Sequence, residues 1–475
     1  MKTLAELLLT LPGARPVGTL TAPILRVHSD SRSLRAGDLF VALPGERFDA
    51  HDFLAQAKTA GAAGALAQRG LAEAGLAGVE VPDTHAALLQ LAQAWRAQFA
   101  LPLIAVAGSN GKTTVTQMIA SILRAHAGEA AHATQGNFNN HIGVPLTLLR
   151  LSAQHRCSVI ELGMNHPGEI AQLAALAMPT VALVNNAQRE HQEFMSSVEA
   201  VARENGTVIS ALGEEGVAVF PSDDVHTRIW RTLAGARRCM SFSDSDPEAD
   251  VRALSANWED KAWALQFATP VGEGQVQLKI AGRHNVRNAL AAIACAVAAG
   301  LPLSAIVLGL QAFEPVGGRS RTVLVSVDGR VVTLVDDSYN ANPDSVRAAI
   351  EVLASLPAPH LLVLGDMGEV GDQEQAFHLE VLRHAYARGI DEVRVSGRAM
   401  CEAAEALRAA GEPAPRCVDE VAALATDVAA EVATGVVASV LVKGSRFMRM
   451  ERVVQAVRAL DPTLADNDKD SSHAA

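Results

Sequence analysis

Residues 105–114 read AVAGSNGKTT, an apolar run followed directly by Gly108, Ser109, Asn110, Gly111, Lys112, Thr113 and Thr114. This order predicts a buried strand, a tight glycine turn and the first turn of a helix, and it makes the chain an α/β protein. In such a loop, backbone N–H groups converge on phosphate oxygens, assisted by the positive end of the helix dipole. Lys112 can reach the outer phosphates, and Thr113 or Thr114 can offer a hydroxyl to Mg²⁺. The commonest phosphate loop carries a glycine where Val106 stands, so the shorter G-x-x-G-K-T form is less generic. The alternative is a chance glycine turn ahead of a helix.

Working outward, apolar runs at Ile104–Ala107, Ser158–Ile160 and Val181–Val184 read as buried parallel strands separated by helical stretches. Before them, Asp38–Leu43 and Ala62–Ala67 read as strands, His51–Ala60 as a helix, and Asp83 or Thr84 as the cap of a helix carrying Leu88, Leu91, Trp95 and Phe99. Between Trp230 and Ile280 the pattern alternates, which predicts antiparallel strands. Pro315-Val316-Gly317-Gly318 is a hinge candidate. Beyond it, strands are expected at 331–335, 361–364, 392–395 and 439–442, with a helix over 344–354. Three domains follow: 1–82, 83–318 with a mostly parallel sheet, and 319–462. The polar segment 463–475 is expected to be a disordered tail.

With 49% hydrophobic and 19% charged residues, the 475-residue chain can bury large cores. A net charge of −12 and the lack of a long basic run argue against nucleic acid and anionic membranes as partners. Five scattered cysteines without a C-x-x-C pair fit a reducing cytoplasm better than a disulfide or zinc framework. Residues 1–11 form an amphipathic helix pattern and no secretory signal. The uncharged stretch 289–310 is long enough to span a bilayer, but Gly300, Pro302 and Ser304 break it, so two buried helices joined by a turn are expected.

A phosphate loop needs an acid to hold its metal. Glu161 ends the strand Ser158–Ile160 and is placed to reach Mg²⁺; a helix cap or surface charge is the plainer reading. His191 and Glu193 follow Asn185-Asn186 at the end of the next strand. Three further polar clusters end strands or open helices: Gly136-Asn137-Phe138-Asn139-Asn140, Gly282-Arg283-His284-Asn285 with Asn288, and Asp336-Asp337-Ser338-Tyr339-Asn340-Ala341-Asn342-Pro343. Each alone reads equally well as a loop or cap.

Together these segments resemble the Mur ligases, ATP-dependent amide-forming enzymes of peptidoglycan synthesis. The resemblance runs over roughly residues 20–455 and includes DSRSLRAGDLFVALPGERFDAHDF (30–53), GNFNNHIGVPLTLLRL (136–151), VIELGMNHPGEI (159–170), GRHNVRNALAA (282–292), DDSYNANPDS (336–345), VLGDMGEVG (363–371) and LVKGSRFMRME (441–451). Tyr339–Pro343 and the absence of a D-N-P-R motif favour the member that joins D-alanyl-D-alanine to UDP-N-acetylmuramoyl-tripeptide. A sibling acting on another amino acid or on folate, and a nucleotide switch without ligase activity, are the competing readings. The resemblance implies a small UDP-binding domain, a central ATPase domain, a Rossmann-like C-terminal domain, ATP and Mg²⁺ as cofactors, a monomer and a cytoplasmic location.

It also implies residue roles. Asp30, Ser31 and Arg32 belong to the UDP segment. Asn137, Asn139 and Asn140 lie near the muramoyl-peptide and phosphates. Glu161, His191 and Glu193, with Thr113, resemble the magnesium set, and His191 is a candidate base. Asn285 and Asn288 resemble the adenine contacts, Arg319 the arginine that reaches the ATP phosphates, and Asp337 the ribose contact. Asn340, Asn342, Lys443 and Ser445 face the acceptor. One departure stands out. Many members carry a carbamylated lysine, whose carboxylate helps hold a metal, where Asn205 stands here, and no lysine occurs between Lys112 and Lys261. The expectation is that Asn205 orders a metal-bound water through its amide oxygen, and that Glu204 is no simple replacement.

Overall fold

The computed structural model describes residues 1–45, 48–259 and 261–465. They form three sheets. The first has the strand order Arg15–Val17, Gly78–Glu80, Gly64–Ala67, Asp38–Val41, Arg26–His28, parallel apart from the edge strand Arg15–Val17. The second has nine strands. Ala131–Ala133, Cys157–Glu161, Leu103–Ala107, Val181–Val184, Val217–Pro221, Arg238–Ser243 and Val251–Glu259 run parallel, and Ala262–Thr269 and Gly272–Leu278 extend it antiparallel. The third orders Arg321–Val327, Arg330–Asp337, Ser439–Lys443, His360–Gly365, Glu392–Ser396 and Arg416–Cys417, parallel except for Arg321–Val327.

The central strands are apolar throughout because helices cover both faces. Ala105, Ala107, Ile160 and Val184 pack with Leu88, Leu173 and Val201 on one side. Their alternating neighbours Ile104, Val106, Val159 and Leu183 pack with Val115, Ile119 and Leu290 on the other. The uncharged stretch forms the helices His284–Ala298 and Leu303–Gln311 with a turn between them, and no helix among the described residues is long and apolar enough to cross a membrane.

Sheet and core boundaries differ. The first sheet ends at Glu80 and the helix Thr84–Arg96 follows, capped by the Asp83 carboxylate. Yet Leu4, Val79, Val81, Leu88 and Leu103 belong to one continuous apolar cluster. Gly318 lies in the link between the second and third sheets at φ +75°, and its N–H donates to Asp336 Oδ2 at 2.8 Å.

Two expectations are corrected. Cys401 and Cys417 are disulfide-bonded with Cα atoms 5.4 Å apart, because the fold lays the start of the helix Arg398–Ala409 beside the edge strand Arg416–Cys417. Cys157, Cys239 and Cys295 are free. Residues 463–465 are ordered in the helical turn Pro462–Ala465, held by Asp461, whose Oδ2 accepts from Ser326 N at 2.8 Å. The remaining tail, 466–475, lies outside the described residues.

Candidate active site

Gly108 (φ +132°) and Gly111 (φ +81°) turn the chain from the strand Leu103–Ala107 into the helix Lys112–Ala127. A Cβ on Gly111 would lie 2.5 Å from Asn288 Oδ1, so the site needs glycine on both conformational and steric grounds. The loop is gripped from outside. Gly108 N donates to Asn205 Oδ1 (2.9 Å), Ser109 N to Asn186 O (3.1 Å), and Asn110 N to Asn186 Oδ1 (2.9 Å). Those three donors are therefore committed to protein. The N–H groups left for an anion are those of Gly111 at the N-cap and of Lys112, Thr113 and Thr114 in the first turn, none of which has an acceptor among the described residues.

Ser109 to Thr114 line a cavity of about 1170 Å³ between the second and third sheets. Lys112 Nζ is parked against Gly108 O (2.6 Å), Ser109 O (2.9 Å) and Glu190 Oε1 (3.1 Å). Glu190 is only 4% exposed and its Oε2 has no partner. His191, held at φ +49°, has Nε2 3.5 Å from Glu190 Oε1 and Nδ1 2.5 Å from Glu369 Oε2. The neighbouring His191 imidazole holds the Glu369 carboxyl below its usual range. Glu193 is exposed and does not line the cavity. The acid that this loop directs inward is Glu190, because the left-handed turn at His191 carries the chain outward again.

Glu161 is 1% exposed. Its Oε1 accepts from Thr113 Oγ1 (3.1 Å) and Asn139 Nδ2 (2.7 Å), and its Oε2 has no partner. A buried carboxylate oxygen without a donor, beside a phosphate loop and a hydroxyl, fits Mg²⁺. Among the described residues no three His, Cys, Asp or Glu side chains form a ready metal cluster, so phosphate oxygens and water would complete the shell. Asn205 reaches the phosphate loop itself. Its Oδ1 accepts from Gly108 N with one of its two lone pairs, and Glu204 Oε1 accepts from Ile170 N (3.0 Å).

Asn285 and Asn288 lie under the loop in a chain of amides. Asn185 Nδ2 donates to Asn288 Oδ1 (3.0 Å), Asn288 Nδ2 to Asn285 Oδ1 (2.8 Å), and Asn285 Nδ2 to Ala281 O (2.7 Å). Both line the cavity, but these amides brace the loop. Asn137, Asn139 and Asn140 line it as well, and Asn140 Oδ1 accepts from Gly143 N (2.9 Å).

The third domain closes the far wall. The Arg319 guanidinium stacks 4.0 Å over the Tyr339 ring, and no carboxylate pairs with it among the described residues. Buried Lys443 bonds Asp337 Oδ2 (2.5 Å) and Asn340 O (2.8 Å), and Ser445 Oγ accepts from Gly368 N (2.7 Å). Asn342 caps the helix Pro343–Ala354 and donates to Asn110 Oδ1 (2.9 Å). Asp30, Ser31 and Arg32 do not line this cavity. Asp30 caps a short turn and pairs with Arg32 (2.7 Å), which lowers its pKa to about 2.

Glu190, Arg189, Asp344 and Glu369 were not singled out from sequence. Arg189, Glu190 and Asp344 each sit within a few residues of one that was, and Glu369 lies within the segment VLGDMGEVG (363–371); the signal available was a charge next to a strand-end motif.

A family model described as "Mur ligase family, catalytic domain" matches residues 23–96, "Mur ligase middle domain" matches 106–296, and "Mur ligase, glutamate ligase domain" matches 319–446. The chain is 40% identical over 432 residues to the UDP-N-acetylmuramoyl-tripeptide–D-alanyl-D-alanine ligase of Escherichia coli (strain K12), covering 91% of this chain and 93% of that one. It is 35% identical over 447 residues to the Haemophilus influenzae ligase of the same name, covering 94% and 96%. Among solved structures, MurF from Acinetobacter baumannii superposes with a TM-score of 0.83 at 35% identity, covering 92% and 94%. MurF ligase from Thermotoga maritima in complex with ADP superposes with a TM-score of 0.79 at 26% identity, covering 94% and 99%.

Proposed function

Because the chain belongs to the Mur ligase family, we infer that it joins D-alanyl-D-alanine to UDP-N-acetylmuramoyl-tripeptide, giving the pentapeptide, ADP and phosphate. The observation that carries this reading is one cavity in which the phosphate loop's Lys112 faces Arg319 and Lys443 of another domain. A site that must activate a carboxylate and then admit an amine needs both walls.

ATP supplies the phosphoryl group that converts the tripeptide carboxylate into an acyl phosphate, with ADP as the leaving group; the dipeptide amine then attacks the acyl carbon, forming the amide and expelling inorganic phosphate. Mg²⁺, when bound at Thr113 Oγ1 and Glu161 Oε2, neutralises phosphate charge. The chain's own residues supply position and counter-charge, which is most of what phosphoryl transfer requires. Lys112 exchanges Gly108 O and Ser109 O for phosphate oxygens. Arg319, stacked on Tyr339 and free of a carboxylate, is held ready to place its charge on the transferring group. Asn285 and Asn288 fix the loop from below and face the base, while Asp337 faces the ribose side. Asn137, Asn139 and Asn140 face the tripeptide, and Asn340, Asn342, Lys443 and Ser445 the dipeptide. Asp30, Ser31 and Arg32, on the first domain, grip the UDP end. His191, between two carboxylates, is the group placed to take up a proton from the attacking amine.

Division at residues 82 and 318 gives one domain to each substrate, and docking of the third excludes water from the acyl phosphate. The enzyme works as a monomer in the cytoplasm, where ATP is available. The test is a substrate panel in which D-alanyl-D-alanine is replaced by diaminopimelate, lysine or glutamate. Turnover is expected with D-alanyl-D-alanine alone.

A further inference from the structure

We propose that the Cys401–Cys417 bond is a site of thiol–disulfide exchange whose redox state sets how firmly the third domain holds the loop around Ser445. The site lies outside the cavity. Its consequence for turnover rests on the acceptor role given to Ser445 above.

The bond is reachable and its structural effect is local. It joins the first turn of the helix Arg398–Ala409 to the edge strand Arg416–Cys417, and both cysteines are half-buried. A disulfide open to solvent can be attacked by a thiolate, whereas an enclosed one cannot. Burial pushes the thiols of Cys157, Cys239 and Cys295 up, so they stay protonated and do not compete in exchange. The edge strand pairs with its neighbour only through Arg394–Arg416 and Val395–Cys417, continued by Val418 N donating to Val395 O at 2.9 Å. The helix itself is anchored by Met400, Ala403, Ala404 and Leu407 in the apolar core. Breaking the bond therefore frees the strand end and the first helical turn and leaves the helix folded.

That turn is wired to the cavity through Asp366, which follows the strand His360–Gly365. The Asp366 carboxylate caps the cysteine-bearing helix, accepting from Met400 N at 2.8 Å and from Ala399 N at 3.3 Å. Gly397 (φ +107°) permits this approach, since a Cβ there would lie 2.4 Å from the carboxylate carbon. The Asp366 carbonyl accepts from Ser445 N at 3.0 Å, and two residues on, Gly368 N donates to Ser445 Oγ at 2.7 Å. Gly368 and Ser445 both line the cavity. One buried residue thus grips the turn that carries Cys401 with its side chain and the loop that carries Ser445 with its backbone. The intact bond keeps the turn in place and the cap closed. Reduction lets the turn shift, weakens the cap and loosens the Ser445 loop, so the oxidised chain binds the acceptor more tightly.

The exchange needs a small-molecule thiol as reductant. Its thiolate attacks one cysteine sulfur, the S–S bond breaks, and the other cysteine leaves as a thiolate that takes a proton from solvent. A second thiol displaces the first, giving two protein thiols and one small-molecule disulfide. The protein gains two electrons and two protons, and the reverse reaction restores the bond.

The test compares the full chain equilibrated with oxidised or reduced glutathione. Alkylation after denaturation, read by mass spectrometry, should count three free thiols in the first state and five in the second. Reduction should raise KM for D-alanyl-D-alanine about fivefold, leave KM for ATP unchanged, and speed amide exchange at 366–369 and 444–446. Cys417→Ser and Cys401→Ser should both show the reduced values and no response to glutathione. Five free thiols in both states would overturn the proposal, as would equal exchange at these amides, equal KM for the dipeptide, or a serine variant that still responds. No turnover of D-alanyl-D-alanine in either state would overturn the acceptor reading alone, and amide exchange would then decide the redox coupling.

Discussion

Arg189 of the central domain is clasped by Asp344 of the third. Its NH2 lies 2.6 Å from Asp344 Oδ1, its backbone N–H donates to Asp344 Oδ2 at 2.9 Å, and its NH1 reaches Glu380 at 2.7 Å. The guanidinium also lies 5.1 Å from the Phe377 ring centre. A planar fork shared by two carboxylates fixes orientation as well as distance. It sets the third domain over the phosphate loop.

Arg189→Ala should therefore loosen docking while leaving each domain folded. Asp344 loses its ion-pair partner and Glu380 keeps only Arg347 (3.1 Å), at a cost of about 1–3 kcal/mol to the docked state. Small-angle scattering should report a larger radius of gyration, and KM for D-alanyl-D-alanine should rise. An unchanged radius would mean that the clasp does not hold the domains.

The clasp is also pH-dependent. Hydrogen bonds from Arg189 are the main cause that lowers the Glu380 pKa from its ordinary value of 4.5. A depressed carboxylate contributes stability above its unfolded pKa and loses it as pH falls through the folded value. The unfolding free-energy gap between the unaltered chain and Arg189→Ala should be constant from about pH 6 to 5 and shrink below 4.5. Urea titrations across this range test it; a gap that widens on acidification would contradict the assignment.

Asn205→Ala removes the acceptor for Gly108 N–H and leaves a buried donor unpaired. A loss of about 1–3 kcal/mol in unfolding free energy is expected, with weaker ATP binding because the loop loses its anchor. Mn²⁺ stoichiometry should not change, since the Asn205 oxygen faces the loop. If stability were unaltered while a cation was lost, Asn205 would be acting on the metal.

Glu161→Gln keeps the acceptor for Thr113 and Asn139 and removes a buried charge. Without divalent cation the variant should melt at the same or a higher temperature, because an uncompensated carboxylate is relieved. The upward shift produced by Mg²⁺ with an ATP analogue should largely vanish. A variant that is less stable without metal, yet keeps the shift, would exclude Glu161 as a ligand.

Much of this was legible because it is written in local pattern. AVAGSNGKTT shows its strand, turn and helix through apolar runs and glycines. Asp83 shows its helix through capping chemistry, and 289–310 shows its two helices through Gly300 and Pro302. What was not legible depends on direction and on distant partners. Glu190 and Glu193 are three residues apart, and only the left-handed turn at His191 decides which faces the cavity. Asn205 could be aligned with a metal-binding position, but its oxygen is claimed by Gly108, 97 residues away. The Arg189–Asp344 clasp and the Cys401–Cys417 bond join segments that carry no shared spacing signal.

The most direct measurement is phosphate release with ATP, UDP-N-acetylmuramoyl-tripeptide and D-alanyl-D-alanine, each omitted in turn. The account predicts sustained release, matched by pentapeptide formation, only when all three are present. Equal release without the tripeptide or the dipeptide would contradict it.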